Sequence, residues 1–261
     1  MRNGTVYAIG AMLLGIVGLA VGDFALQWQP VPAAIPLRTP LSYVSAILLL
    51  VAGGAMLWTR TQARAALTLG CCYFLWAALL HVPRIFPHPA DASMWLGFAE
   101  ILALAAGGVA AWGMVGDALP RKLTVQTTQP TFGVCLLIFG WSHFVYADFT
   151  ATMVPGWLPL PLFWAYATGC GHIAAGLALI SGFASRPAST MLAGMFACFV
   201  VLLHVPRVLA DPASRIEWTM LAVAISLTGA AWIVRTALHR HTNPLDYRDD
   251  ATYAESAANS P

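Results

Sequence analysis

The sequence contains the six-residue stretch LLHVPR at residues 79–84 and again at residues 202–207. The two copies lie 123 residues apart, and other identical residues on both sides keep this spacing: Pro32 and Pro155, Pro36 and Pro159, Tyr43 and Tyr166, Pro89 and Pro212, Trp95 and Trp218. Matches that stay in register over so long a stretch indicate an internal duplication. The chain is therefore predicted to consist of two copies of one structural unit.

The composition around these motifs is that of a membrane protein. Hydrophobic residues make up 59% of the chain and charged residues only 9%, whereas soluble proteins average about 25% charged residues. So few charges do not suffice for the surface of a soluble domain, and they exclude intrinsic disorder. The net charge of +2 is too small to indicate a nucleic-acid partner. We expect an integral membrane protein that is surrounded by the lipid bilayer.

The apolar stretches are long enough for transmembrane helices, which need about 20 residues each. They predict an all-α polytopic fold with eight spans, near residues 5–24, 39–59, 65–83, 94–115, 131–148, 162–183, 188–206 and 216–238. Each copy then holds four spans, so the copies run parallel through the membrane as two four-helix bundles. The predicted domains are a first repeat (1–115), a cytoplasmic linker (116–130), a second repeat (131–238) and a disordered polar tail (239–261).

The distribution of Lys and Arg between the loops predicts the orientation. The side that carries both termini holds Arg2, Arg60, Arg64, Arg121, Lys122, Arg186, Arg235, Arg240 and Arg248, whereas the other side holds Arg38, Arg84, Arg207 and Arg215. The excess of nine basic residues over four predicts that both termini lie in the cytoplasm. We expect the protein in the inner membrane of a bacterium. Residues 2–22 resemble a signal peptide, but the repeat requires this segment as a retained helix.

The repeated motif places a histidine and an arginine on one helix face near the predicted outer surface. His81 and Arg84 in the first copy, like His204 and Arg207 in the second, are three residues apart and share a face. One interpretation is architectural: Pro83 and Pro206 end their helices, and the arginines reach the membrane interface. The other is a binding niche for an anionic or quinone-like group. The sequence leaves both open.

Ionisable residues that differ between the copies are further candidates, because such groups are costly inside a bilayer. The second copy has His143 and His172 where the first has Ala20 and Leu49. The first has Glu100 where the second has Val223. With His204 and Arg207, these groups form one predicted ligand-binding or proton-relay site in the outer half of the membrane.

The residue types at this site favour a quinone over the alternatives. A quinone headgroup needs a few hydrogen-bond donors in an apolar, aromatic slot, and Trp164 and Tyr166 supply aromatic rings beside the histidines. Haem or a transition metal is the weaker alternative, because no HxxxH or ExxH spacing occurs on these helices. We therefore predict no metal site. Purely structural hydrogen bonding between helices remains the competing interpretation.

Four short segments of the second copy resemble the DoxX-like membrane proteins: residues 139–144 (FGWSHF), 155–159 (PGWLP), 163–166 (FWAY) and 169–172 (GCGH). The resemblance covers residues 131–238 well and 5–115 more weakly. It implies a four-helix unit with a proline-rich loop after its first helix. Some relatives are associated with thiosulfate:quinone oxidoreduction or with membrane oxidoreductase complexes. Many carry an acidic residue in the second helix of the unit, where this chain has His172 or Leu49.

These observations predict a quinone-interacting or accessory subunit of a membrane redox system, working with a redox partner protein. No nucleophile triad, phosphate-binding loop or CxxC cysteine redox pair is present, so no catalytic residue is assigned and the protein is at most one subunit of an oxidoreductase. The alternative function is a non-catalytic scaffold or small-molecule carrier whose histidines are structural.

Overall fold

In the computed structural model, which describes residues 4–115 and 121–242, the elements are helices joined by short loops. The described part has nine helices: α1 (Thr5–Val21), α2 (Arg38–Ala55), α3 (Gln62–Ile85), α4 (Ala92–Val115), α5 (Arg121–Val145), α6 (Ala147–Met153), α7 (Pro161–Ser181), α8 (Ser185–Ala210) and α9 (Arg215–Thr242). A 3₁₀ turn, Leu26–Trp28, follows α1. The all-α prediction is confirmed.

Six of these helices are long and apolar enough to cross a membrane: α2, α3, α4, α7, α8 and α9. Helices α5 and α6 form a seventh candidate if they count as one span, although the chain bends by 92° between them. Helix α1 is apolar but has only 17 residues, or about 26 Å at 1.5 Å per residue. The described residues thus support a membrane protein with six or seven candidate spans.

Two predicted boundaries differ from the structure. Residues 121–130, predicted to lie in a linker, form the first turns of α5, in which Thr127 and Thr128 bond to carbonyls four residues earlier and Pro130 is accommodated within the helix. Helix α9 extends to Thr242, four residues into the predicted tail. The rest of the predicted linker (116–120) and tail (243–261) lies outside the described residues, as does Arg2.

Except for the first helix of each half, the long helices of the two halves begin at equivalent positions. Helices α2 and α7 begin at Arg38 and Pro161, and α3 and α8 begin at Gln62 and Ser185, each pair being 123 residues apart. Even the side-chain hydrogen bonds of Trp95 to the Pro89 carbonyl and of Trp218 to the Pro212 carbonyl, both 2.9 Å long, keep this spacing.

Packing crosses between the two halves. Helix α1 packs against α9, the last helix of the other half, and α5 packs against α4 in the same way. Helices α4 and α9 also contact each other and are the most buried of the six spanning candidates. The centre of the molecule is therefore shared by both halves, and the first helix of each half is held by the last helix of the other.

The LLHVPR motifs lie in the last turns of α3 and α8, and both helices continue past the proline. A π-helical turn occupies Ala77–His81 in α3 and Val200–His204 in α8, and each helix then continues through its proline, to Ile85 and Ala210. The expectation that Pro83 and Pro206 end their helices is therefore wrong. A widened turn directly before each proline accommodates the ring and the missing backbone donor, so the helix goes on.

Candidate functional site

A cavity of about 860 Å³ lies between the two halves at the end of the molecule where α5 ends and α7 begins. Its walls come from α4 to α9 and from the Leu26–Trp28 turn. Five residues predicted to form a site line it: Glu100, His143, Trp164, His172 and His204. Phenylalanine, leucine, methionine and valine side chains form most of the remaining wall. The cavity is thus apolar with a few polar groups, the usual composition of a small-molecule site.

His172 lies in an aromatic box on the α7 side of the cavity. Its ring centroid is 5.6 Å from that of Phe139, 5.4 Å from Phe196 and 6.2 Å from Phe199. The side chain is 2% exposed, and its Nδ1 atom has no hydrogen-bond partner. An unpartnered N–H in such a place costs more than an unpartnered lone pair, so this Nδ1 atom is expected to carry the lone pair.

The ring of His143, on α5, lies 5.1 Å from the ring of His172. Its Nδ1 atom is 3.2 Å from the carbonyl oxygen of Ala165 and 3.1 Å from the hydroxyl of Thr168. Because a carbonyl only accepts hydrogen bonds, Nδ1 must carry the hydrogen. Neutral His143 therefore has its lone pair on Nε2, as a hydrogen-bond acceptor.

His204 and His81 are equivalent in sequence but differ in their hydrogen bonding. His81 is buried, and its Nε2–H donates to the carbonyl oxygen of Trp28 over 3.2 Å. His204 is also buried, but its Nδ1 has no partner, and the residue lines the cavity. His81 thus supports the turn that carries Trp28, while His204 borders the open space.

Glu100 comes from α4, in the first half of the chain, and lines the same cavity as the α7 and α8 histidines. Its Oε2 atom accepts a hydrogen bond of 2.7 Å from Nε1 of Trp28. The other carboxyl oxygen has no described protein partner. The site therefore combines residues from both halves, and the histidine-bearing half alone would lack its acidic group.

Arg207 and Tyr166 do not line the cavity. Arg207 forms a two-point ion pair with Glu217 on α9, with N–O distances of 2.9 and 2.6 Å. Tyr166 is exposed, and its ring lies 5.6 Å from that of Phe144. In the first half, Pro83 and Arg84 are exposed, and Arg84 makes no ion pair with a described residue.

One polar cluster joins α4 to the bend between α5 and α6. The hydroxyl of Tyr146 donates to Oδ1 of Asp91 over 3.2 Å and accepts from the backbone N–H of Ser93 over 3.1 Å. Hydrogen bonds from the Ser93 hydroxyl and backbone hold the pKa of the Asp91 carboxyl below its usual value. Asp91 is therefore an ionised acceptor at neutral pH, and it keeps Tyr146 at the edge of the cavity.

Within residues 4–115 and 121–242, no three His, Cys, Asp or Glu side chains are arranged to hold a metal ion. Of the predicted titratable groups that line the cavity, His143 and His172 lie together, with ring centroids 5.1 Å apart.

Three features of the site were missing from the sequence-based prediction. Glu217 stands where the first half has Met94, and Trp28 stands where the second half has Ala151. Both residues therefore differ between the two copies, which is the criterion that identified Glu100 and His143. The aromatic box around His172 has no comparable signal, because Phe139, Phe196 and Phe199 are spread over two helices in an apolar sequence.

Residues 130–205 match the family model of DoxX. The resemblance predicted from the sequence is confirmed for this segment, which contains His143, His172 and His204 but not Glu100 or Trp28. No curated protein and no solved structure matches the chain.

Proposed function

We propose that this DoxX-like membrane protein binds a quinone in the cavity between its halves and serves as a quinone-interacting subunit of a membrane redox system. One observation carries the proposal: His143, His172, His204 and Glu100, which are far apart in the sequence, line a single apolar cavity. The volume of about 860 Å³ lies within the range of about 300–1,000 Å³ that is usual for small-molecule pockets.

Two buried histidines are suited to hold the oxygen atoms of the headgroup. An unpartnered N–H costs more than an unpartnered lone pair, so the buried Nδ1 atoms of His172 and His204 carry the lone pairs. Their hydrogens then lie on Nε2 and can be donated to a quinone oxygen. The rings of Phe139, Phe196 and Phe199 supply an apolar surface on which a flat headgroup packs.

The proposal includes eight spans, two parallel copies of a four-helix unit, and both termini in the cytoplasm of a bacterium with the protein in its inner membrane. The charge distribution and the repeated spacing of helix starts support this topology. The eight spans would be the six long apolar helices, helix α1, and the bent pair of α5 and α6 counted as one span. The cavity then lies in the outer half of the membrane, where a lipid-soluble quinone has access from the bilayer.

Replacing His172 with leucine is expected to weaken quinone binding by up to about tenfold, because one hydrogen bond to the headgroup is lost. Leucine is chosen because Leu49 occupies the corresponding position in the first half and is well buried. Binding of a short-chain quinone to the protein in nanodiscs is measured by quenching of tryptophan fluorescence, since Trp28, Trp157 and Trp164 line the cavity.

The matched control is His88→Leu, because His88 is exposed and does not line the cavity. This variant should bind the quinone as the wild type does. Unchanged affinity in the His172→Leu protein, or no saturable binding to the wild type, would favour the scaffold or carrier role with structural histidines. Hydrogen bonds of His81 and His143 to backbone carbonyls are consistent with that role for these two residues.

A further inference from the structure

We propose that the cavity binds the hydroxyl-bearing quinol form in preference to the quinone, with His143 as the acceptor of the quinol hydroxyl. This inference rests on the proposed function, because it assigns the preferred form of the ligand at the same site. It comes from the direction of the hydrogen bonds in the cavity wall.

The tautomer of His143 is set by the protein. The carbonyl of Ala165 accepts from Nδ1, and the hydroxyl of Thr168 has its own hydrogen engaged, since it donates to the Trp164 carbonyl over 2.8 Å. Thr168 can therefore only accept from Nδ1 at the same time. Both contacts favour a hydrogen on Nδ1, so Nε2 offers a lone pair to any ligand beside it.

Many side-chain donors of the cavity wall have no hydrogen to offer a ligand, because they donate within the protein. Six donors of the cavity wall are engaged in this way: the side chains of Trp28 to Glu100, Ser93 and Tyr146 to Asp91, Ser142 to the Phe139 carbonyl, Trp164 to the Pro159 carbonyl, and Thr168 to the Trp164 carbonyl.

A quinone has carbonyl oxygens, which only accept hydrogen bonds, and it would leave the Nε2 lone pair of His143 unpartnered. A quinol has hydroxyl groups, which both donate and accept. It can donate to His143 while it accepts from Nε2–H of His172 or His204. The quinol therefore satisfies more of the groups in the wall, and a site built around a ligand hydroxyl discriminates against the analogue that lacks it.

Calorimetric titration of the full chain in nanodiscs, without oxygen, with duroquinol and duroquinone tests the preference. We expect the quinol to bind the wild type about tenfold more tightly than the quinone. In His143→Phe, which keeps a ring against His172, the two affinities should become equal because quinol binding weakens and quinone binding does not. His88→Phe, an exposed control, should keep the wild-type ratio.

His143→Gln provides a second variant that does not depend on the folding of the first. Its amide group can donate to the Ala165 carbonyl while its oxygen accepts the quinol hydroxyl, so part of the quinol preference should be retained. Equal or tighter quinone binding by the wild type would overturn the quinol preference and leave the proposed function intact. If neither form binds, both proposals are wrong.

Discussion

Gly229→Ala is expected to destabilise the protein by about 3 kcal/mol or more, near or above the upper end of the usual cost of overpacking a core. Gly229 lies on α9 where this helix crosses α1. A methyl group there would come within 2.5 Å of the Cα atom of Tyr7 and closer still to its backbone nitrogen. Because the obstacle is backbone, no side-chain rotation relieves the clash, and α1 must move away from α9.

Tyr7 makes this displacement costly. Its side chain is fully buried, donates to the carbonyl oxygen of Leu104 on α4 over 2.8 Å and contacts the ring of Tyr73 on α3. A shift of α1 therefore also disturbs the contacts of Tyr7 with α4 and α3. The expected result is a much lower midpoint of thermal unfolding, measured on the detergent-solubilised protein by size-exclusion chromatography after heating.

Gly194→Ala is the matched control. Gly194 lies in α8 with no atom within 4 Å of the position of an added methyl group. Alanine at such a helical site should be neutral or stabilising by up to about 1 kcal/mol, because glycine is the more flexible residue in the unfolded chain. If both variants unfold at the same temperature, the backbone of α1 does not pack against Gly229 of α9 as closely as described.

The helical class and the positions of most helices could be predicted from the sequence, because both depend on local composition. Runs of apolar residues near 94–115 and 162–183, for example, gave the bounds of α4 and α7 to within about two residues. The crossing of α1 to α9 could not be predicted. It depends on contacts between residues more than 200 positions apart, such as Gly229 and Tyr7. A hydropathy pattern does not predict which helices make such contacts.

The candidate site was predictable in part for a similar reason. Comparing the copies singled out His143, His172 and Glu100, which line the cavity, since a polar residue in only one copy is visible in the sequence. Arg207 was predicted as a supporting group of the site, but it is paired with Glu217 and does not line the cavity. Whether a side chain faces the cavity or a neighbouring helix depends on helix rotation, which the π turns change by a fraction of a turn.

Arg207→Met is expected to destabilise the protein by about 2 kcal/mol, because it leaves the carboxylate of Glu217 without its partner. Removing one member of a buried pair costs about 3–5 kcal/mol, and the cost is smaller here because the arginine side chain is 40% exposed. The glutamate side chain is only 10% exposed, so water compensates for little of the lost interaction. The midpoint of thermal unfolding should fall accordingly.

The first half of the chain provides the controls. Arg84, at the position equivalent to Arg207, is exposed, and Met94 stands where the second half has Glu217. Arg84→Met should therefore change the unfolding midpoint little. The double variant Arg207→Met/Glu217→Met places methionine at both positions and leaves no unpaired charge. It should recover most of the stability lost in the single variant, because replacing both members of an ion pair by apolar residues is often neutral. A double variant as unstable as Arg207→Met would show that the stranded carboxylate is not the cause, and that the arginine stabilises α8 through the packing of its own aliphatic stem.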